Sequence, residues 1–92
     1  MDESVKMAEL CDLYEVNCAA HNYHGHLGTA ICAHFCAAIP NFEILEVDVD
    51  DVPWKDSIVT NVPPVVDGVY HLPLGPGWGV DVDEEALARR AM

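Results

Sequence analysis

Between residues 16 and 49 the chain places two short apolar runs on either side of one helix-length segment, and that order leaves few folds open. The first run, Val16-Asn17-Cys18-Ala19-Ala20, reads as a buried strand ending at His21-Asn22. A polar loop from Asn22 to Gly25 follows. From His26 to Ala38, Leu27, Ala30, Ile31, His34, Phe35 and Ala38 recur at the i, i+3, i+4, i+7 spacing of a helix with one apolar stripe. Small residues fill the gaps, so this helix is expected to pack on both sides. Pro40 stops it. The second run, residues 42–49, alternates as a strand does: Leu45, Val47 and Val49 on one face, Phe42, Ile44, Glu46 and Asp48 on the other. A helix is also expected over 3–15, with Val5, Ala8, Cys11 and Leu13 as its apolar face and Asp2 or Ser4 as its cap. Helix–strand–helix–strand implies parallel neighbours joined by a right-handed crossover. The expected class is therefore α/β, with a histidine and a glutamate at the C-terminal ends of adjacent strands.

The second half reads differently. Residues 50–63 are acidic and irregular. Val65-Val66-Asp67-Gly68-Val69-Tyr70 is a hairpin signal, since Asp-Gly suits the two positive-φ positions of a tight turn. Gly75-Pro76-Gly77-Trp78-Gly79 is a loop, and neither a Lys-Ser/Thr pair nor a strand–loop–helix context marks it as a phosphate cradle. Asp83 is expected to cap a helix over 84–91, with Glu84 and Glu85 in the first turn and Arg89 and Arg90 in the last. Trp54 and Trp78 are expected as packing anchors.

Charge excludes several partners. Sixteen acidic residues against four basic ones give a net charge of −12 over 92 residues. Such a field repels nucleic acid and anionic membrane surfaces. No run has the ~18 apolar residues of a membrane span, and the acidic start is unlike a signal peptide, so a cytoplasmic location is expected. Cys11, Cys18, Cys32 and Cys36 lie in apolar surroundings without a CxxC pair, which points to buried free thiols rather than a disulfide framework. Glu43, Asp48, Asp50, Asp51 and Asp56 lack calcium-loop spacing and are expected to be a solvated acidic edge. Cys32 and Cys36 share a helix face but His34 does not, which argues against a joint site.

Taken together, His21-Asn22, Ala37-Ala38-Ile39-Pro40-Asn41-Phe42, Ile44-Leu45-Glu46, Leu72-Pro73-Leu74-Gly75-Pro76-Gly77-Trp78-Gly79-Val80 and Asp83-Glu84-Glu85-Ala86-Leu87 carry a resemblance. The chain resembles the C-terminal end of the mandelate racemase/muconate-lactonising branch of the enolase superfamily, most closely the acid-sugar (galactonate/mannonate-type) dehydratases. That likeness implies the last two parallel strands of a modified TIM barrel over 1–49 and, over 50–92, a tail returning towards the capping domain. A full barrel takes about 250 residues, so the chain is expected to be one incomplete domain, a truncated or split product of a larger enzyme.

The likeness also implies roles. His21 would be the acid/base at the substrate carbon and Glu46 would hydrogen-bond the substrate carboxylate, with Asn22, His24 and His26 lining the sugar-acid pocket. The reaction would abstract the proton α to a carboxylate and dehydrate the sugar acid, or racemise it. Mg²⁺ would serve the intact enzyme, held by earlier strands, so no metal ligand is expected here and the isolated chain would be inactive. Its partners would be those missing barrel segments or further copies of itself. The rival expectation is a small acidic binding module stapled by zinc through Cys18, His21, His24 and His26.

Overall fold

A computed structural model describes residues 1–49 and 52–90. Helix α1 (Asp2–Leu13) leads to strand β1 (Cys18–Ala20), helix α2 (His26–Ala38) and strand β2 (Phe42–Leu45). A 3₁₀ turn (Lys55–Ile58), a hairpin of β3 (Val65–Val66) and β4 (Val69–Tyr70), and helix α3 (Glu84–Arg90) complete the order. Strands β1 and β2 pair in parallel, with Cys18 opposite Phe42, Ala19 opposite Ile44 and Ala20 opposite Leu45. The register slips between Cys18 and Ala19, leaving Glu43 as the extra residue of β2.

Both strands are shorter than the apolar runs suggest. The start of β1 is set by the end of α1, where the Val16 N–H reaches the Cys11 carbonyl (2.9 Å) and the Glu15 N–H reaches that of Asp12 (3.0 Å). With Glu15 at φ 56°, this is the Schellman closure, usually built on glycine. It consumes Val16 and moves the strand start to Cys18. The regular part of β2 ends at Leu45, although the Glu46 N–H still bonds the Ala20 carbonyl at 3.2 Å. Among the described residues no strand pairs with 46–49, and residues 50 and 51 lie outside the described residues.

Helix α1 begins at Asp2 with Met1 as its cap and no side-chain cap bond, so neither Asp2 nor Ser4 fills that role. Of its expected apolar face only Ala8 is buried, and Leu13 is 80% exposed. Helix α2 spans the expected residues, its stop set by Ile39 taking the extended conformation required before Pro40. It buries Thr29, Ala30, Ala33 and Cys36, one position round from the expected stripe. The Asp67-Gly68 turn has φ of 51° and 76°, as the hairpin demands. The tail is tied by a bridge between Val59 and Val82 and by the Asp83 N–H on the Ile58 carbonyl at 2.8 Å. The Asp83 carboxylate caps α3 through the Ala86 N–H at 3.0 Å. Arg90 lies 5.9 Å from the Trp54 ring and Trp78 is tilted against His34 at 5.6 Å, but both indoles remain exposed rather than packed in the core as expected.

The core is thin. Its buried apolar members are Ala8, Ala30, Ala33, Cys36, Ile39, Val80 and Ala86, all but two of them alanine-sized or close to it. Phe42 and Ile44 remain exposed because a two-stranded sheet covers only one of its faces with helices.

Candidate active site at the strand ends

Because β1 and β2 run the same way, the residues that follow them emerge side by side. His21 follows Ala20 and Glu46 follows Leu45, and the His21 Nδ1 sits 2.8 Å from the Glu46 Oε1. Both side chains are largely open to solvent, 80% and 54% exposed. The same Oε1 accepts the Asn22 backbone N–H at 3.2 Å. A carboxylate oxygen facing Nδ1 holds the proton there, which leaves Nε2 as the lone pair of the neutral ring. The pair can therefore take up and return a proton at Nε2.

Asn22, expected at the substrate, is fully buried instead. Its Nδ2 donates to the Glu46 carbonyl and to the Thr29 Oγ1, both at 3.0 Å. The side chain thus ties the ends of β1 and β2 to the first turn of α2. His26 is also drawn away from the strand ends: its Nε2 lies 2.6 Å from the Asp56 Oδ1, with the imidazole only 19% exposed. His24 is exposed, and its Cβ passes so close to Gly28 that a Cβ on Gly28 would stand 2.6 Å from it. Of the five residues singled out by sequence, the structure joins His21 and Glu46, makes Asn22 their brace, and places His24 and His26 on the neighbouring loop.

Two participants escaped the sequence reading. Thr29 is the lone hydroxyl on α2, seven residues beyond Asn22, and its position on the first turn was a usable signal. Asp56 was grouped with the acidic edge, and nothing local marks it as the partner of a histidine thirty residues earlier.

The zinc arrangement is not assembled. Among the described residues no group of three or more His, Cys, Asp or Glu side chains could hold a metal ion. His21 is turned to Glu46, His26 to Asp56, and Cys18 belongs with the thiols under α2. All four cysteines are free. Burial lifts the Cys18, Cys32 and Cys36 thiols above the usual range, with neighbouring thiols adding to it for Cys18 and Cys36. A groove of about 460 Å³ runs between α1, β1 and α2, with His21 at its rim and Met7, Cys11, Ile31 and Phe35 along its walls. Among the described residues no helix is long and apolar enough to cross a membrane.

The sequence profile described as "Enolase C-terminal domain-like" matches residues 1–86. The chain belongs to that family. Its two parallel strands and their helices are a piece of the TIM-barrel part of the mandelate racemase/muconate-lactonising branch. It is 33% identical over 87 residues to the D-xylonate dehydratase of Haloferax volcanii, covering 95% of this chain and 21% of that one. To the D-mannonate dehydratase of a Sphingomonas species it is 32% identical over 85 residues, covering 90% and 21%. A Burkholderia xenovorans protein, provisionally described as an L-alanine-DL-glutamate epimerase and solved with magnesium and fumarate, superposes with a TM-score of 0.88. That match has 43% identity and covers 91% of this chain and 21% of the other. The chain thus spans about a fifth of the length of these relatives.

Proposed function

We propose that this chain supplies the proton-transfer end of an acid-sugar dehydratase barrel. The observation carrying this reading is the 2.8 Å pairing of His21 with Glu46 at the ends of adjacent parallel strands, in a chain whose curated relatives are sugar-acid dehydratases. In that role His21 Nε2 takes a proton from the carbon α to the carboxylate, or delivers one to the departing β-hydroxyl. Loss of that proton and that hydroxyl yields water and an enol, which becomes a 2-keto-3-deoxy acid. Glu46 meets the substrate carboxylate through Oε2, donating a hydrogen bond there when protonated. Epimerisation at the same carbon is the second reading, favoured by the match to the Burkholderia protein, since one imidazole beside the α-carbon serves both outcomes.

Removing an α-carboxylate proton needs charge stabilisation beyond an imidazole, and in this superfamily that falls to Mg²⁺. The residues described here do not offer a donor set for it. The ligands belong to other barrel segments, whether on the same polypeptide or a partner copy. The 92-residue chain alone is accordingly expected to be inactive.

A chimera tests this. Residues 1–90 replace the matching segment of the Haloferax volcanii dehydratase, and formation of 2-keto-3-deoxy acid is followed with a panel of sugar acids and Mg²⁺. Turnover by the chimera, lost by roughly 10²–10⁴-fold in His21→Asn, is the expected result. Activity untouched by His21→Asn, or turnover by the isolated chain, overturns the reading.

A further inference from the structure

We infer that Asp56 is a positioning residue: from the tail it holds the first turn of α2 through His26, and it thereby orders the loop that leads out of His21. Its bearing on catalysis rests on the proton-transfer reading above; its hold on α2 does not. Three observations carry it. The N-terminus of α2 is poorly provided for by its own sequence, since Gly25 stands at the cap without a side-chain bond and the first turn holds no acidic residue. His26 opens that turn with a largely buried imidazole, and its Nε2 lies 2.6 Å from the Asp56 Oδ1. An ionised carboxylate can only accept, so the Nε2–H donates. The negative charge that the helix lacks thus arrives from thirty residues further along the chain. The tail has a second, separate attachment to α2, where the His34 Nε2–H donates to the Trp78 carbonyl at 2.9 Å.

The first turn of α2 in turn supports the loop of residues 22–25. The Thr29 N–H closes on the Gly25 carbonyl at 3.0 Å, and the Thr29 Oγ1 accepts from the Asn22 Nδ2 at 3.0 Å. Gly28, in the same turn, lies against the His24 Cβ. Fraying of that turn releases the loop at all three points, directly after His21. A site ordered in only a fraction of molecules binds more weakly by that fraction, because the substrate must select the ordered form. Docking of the tail at Asp56 therefore sets how much of the chain presents a formed strand-end site.

Amide hydrogen exchange on the full 92-residue chain, followed by NMR without substrate, tests the hold on α2. Asp56→Ala should speed exchange at Thr29 and Ala30 by about tenfold or more while Cys36, near the far end of the helix, keeps its rate. Asp56→Asn, which still accepts from His26 but brings no charge, should fall between. His34→Ala, which frees the other attachment, should leave Thr29 and Ala30 unchanged. In the chimera described above, Asp56→Ala should raise KM for the sugar acid about tenfold with kcat within about twofold, as for a site ordered in about a tenth of molecules. Equal acceleration along the whole helix, or none at Thr29, overturns the proposal. So does a wild-type Thr29 amide that exchanges as fast as an unstructured peptide, whatever the variants do. A fall in kcat with KM unchanged overturns the catalytic half. A chimera inactive with Asp56 in place removes the proton-transfer reading, and the exchange rates still decide whether Asp56 holds the helix.

Discussion

Raising the salt concentration should stabilise this chain, and the size of the effect follows from its charge and dimensions. The net charge is −12 and the radius of gyration 14.6 Å. No acidic side chain among the described residues is buried, so the charge sits on the surface. A uniform ball of that gyration radius is about 19 Å in radius, and spreading the charge over it costs about 16 kcal/mol in salt-free water. Screening lengths of about 10 Å at 0.1 M and 3 Å at 1 M reduce this to about 5 and 2 kcal/mol. An unfolded chain of the same length has a gyration radius of about 30 Å. Its repulsion falls only from about 1.5 to 0.5 kcal/mol over the same range. Folding therefore gains about 2 kcal/mol between 0.1 and 1 M salt, or about 8–16 °C in Tm for a domain this size. Far-UV circular dichroism melts in KCl measure it, avoiding sulfate, which strengthens apolar burial by exclusion. Neutralising four exposed carboxylates with Glu9→Gln, Asp12→Asn, Asp81→Asn and Glu85→Gln should more than halve the gain, because the energy follows the square of the charge. A Tm that moves by less than about 2 °C, or a gain that survives the four substitutions, refutes the reasoning.

Replacing Glu15 by glycine should raise stability by about 1 kcal/mol, since it removes both a positive-φ side chain and a negative charge at a helix C-terminus. Glu15→Ala, which keeps the strained φ, should recover less in the same urea titration. Gly28→Ala should cost about 1–2 kcal/mol although alanine is the better helix former, because its Cβ meets His24. Chemical denaturation gives that sign, and histidine NMR should show His24 displaced. The buried thiol of Cys36 and the half-buried thiol of Cys32 should alkylate more slowly in the folded chain than in urea, by mass spectrometry. Their raised folded-state pKa values also set a pH window. Stability from them is full below the ordinary thiol pKa of about 8.5 and is lost as pH rises through the raised values, so Tm should fall on the alkaline side.

Helix α2 and the β3–β4 turn were legible because their signals are local: Pro40 fixes one end, and Asp67-Gly68 can hardly do anything else. The class was legible from the order of the elements. Strand limits were not, because they depend on neighbours: Glu15 closes α1 without the glycine that would have announced it, and β2 stops where its ladder loses a partner. The juxtaposition of His21 and Glu46 followed from parallel pairing alone. The environment of Asn22 did not, because a polar residue just past a strand end reads as solvent-facing until the strand beside it is placed. The pairing of His26 with Asp56 was not legible for the same reason, since Asp56 lies beyond β2.

The hydrogen bonds that shape the site all fall between residues 20 and 46, inside one β–α–β unit. None depends on an earlier strand. The apolar side chains of Phe42, Ile44, Val65 and Val69 remain exposed. Geometry and stability thus have different sources here: the placement of the His21–Glu46 pair is built into 27 consecutive residues, while little apolar burial is.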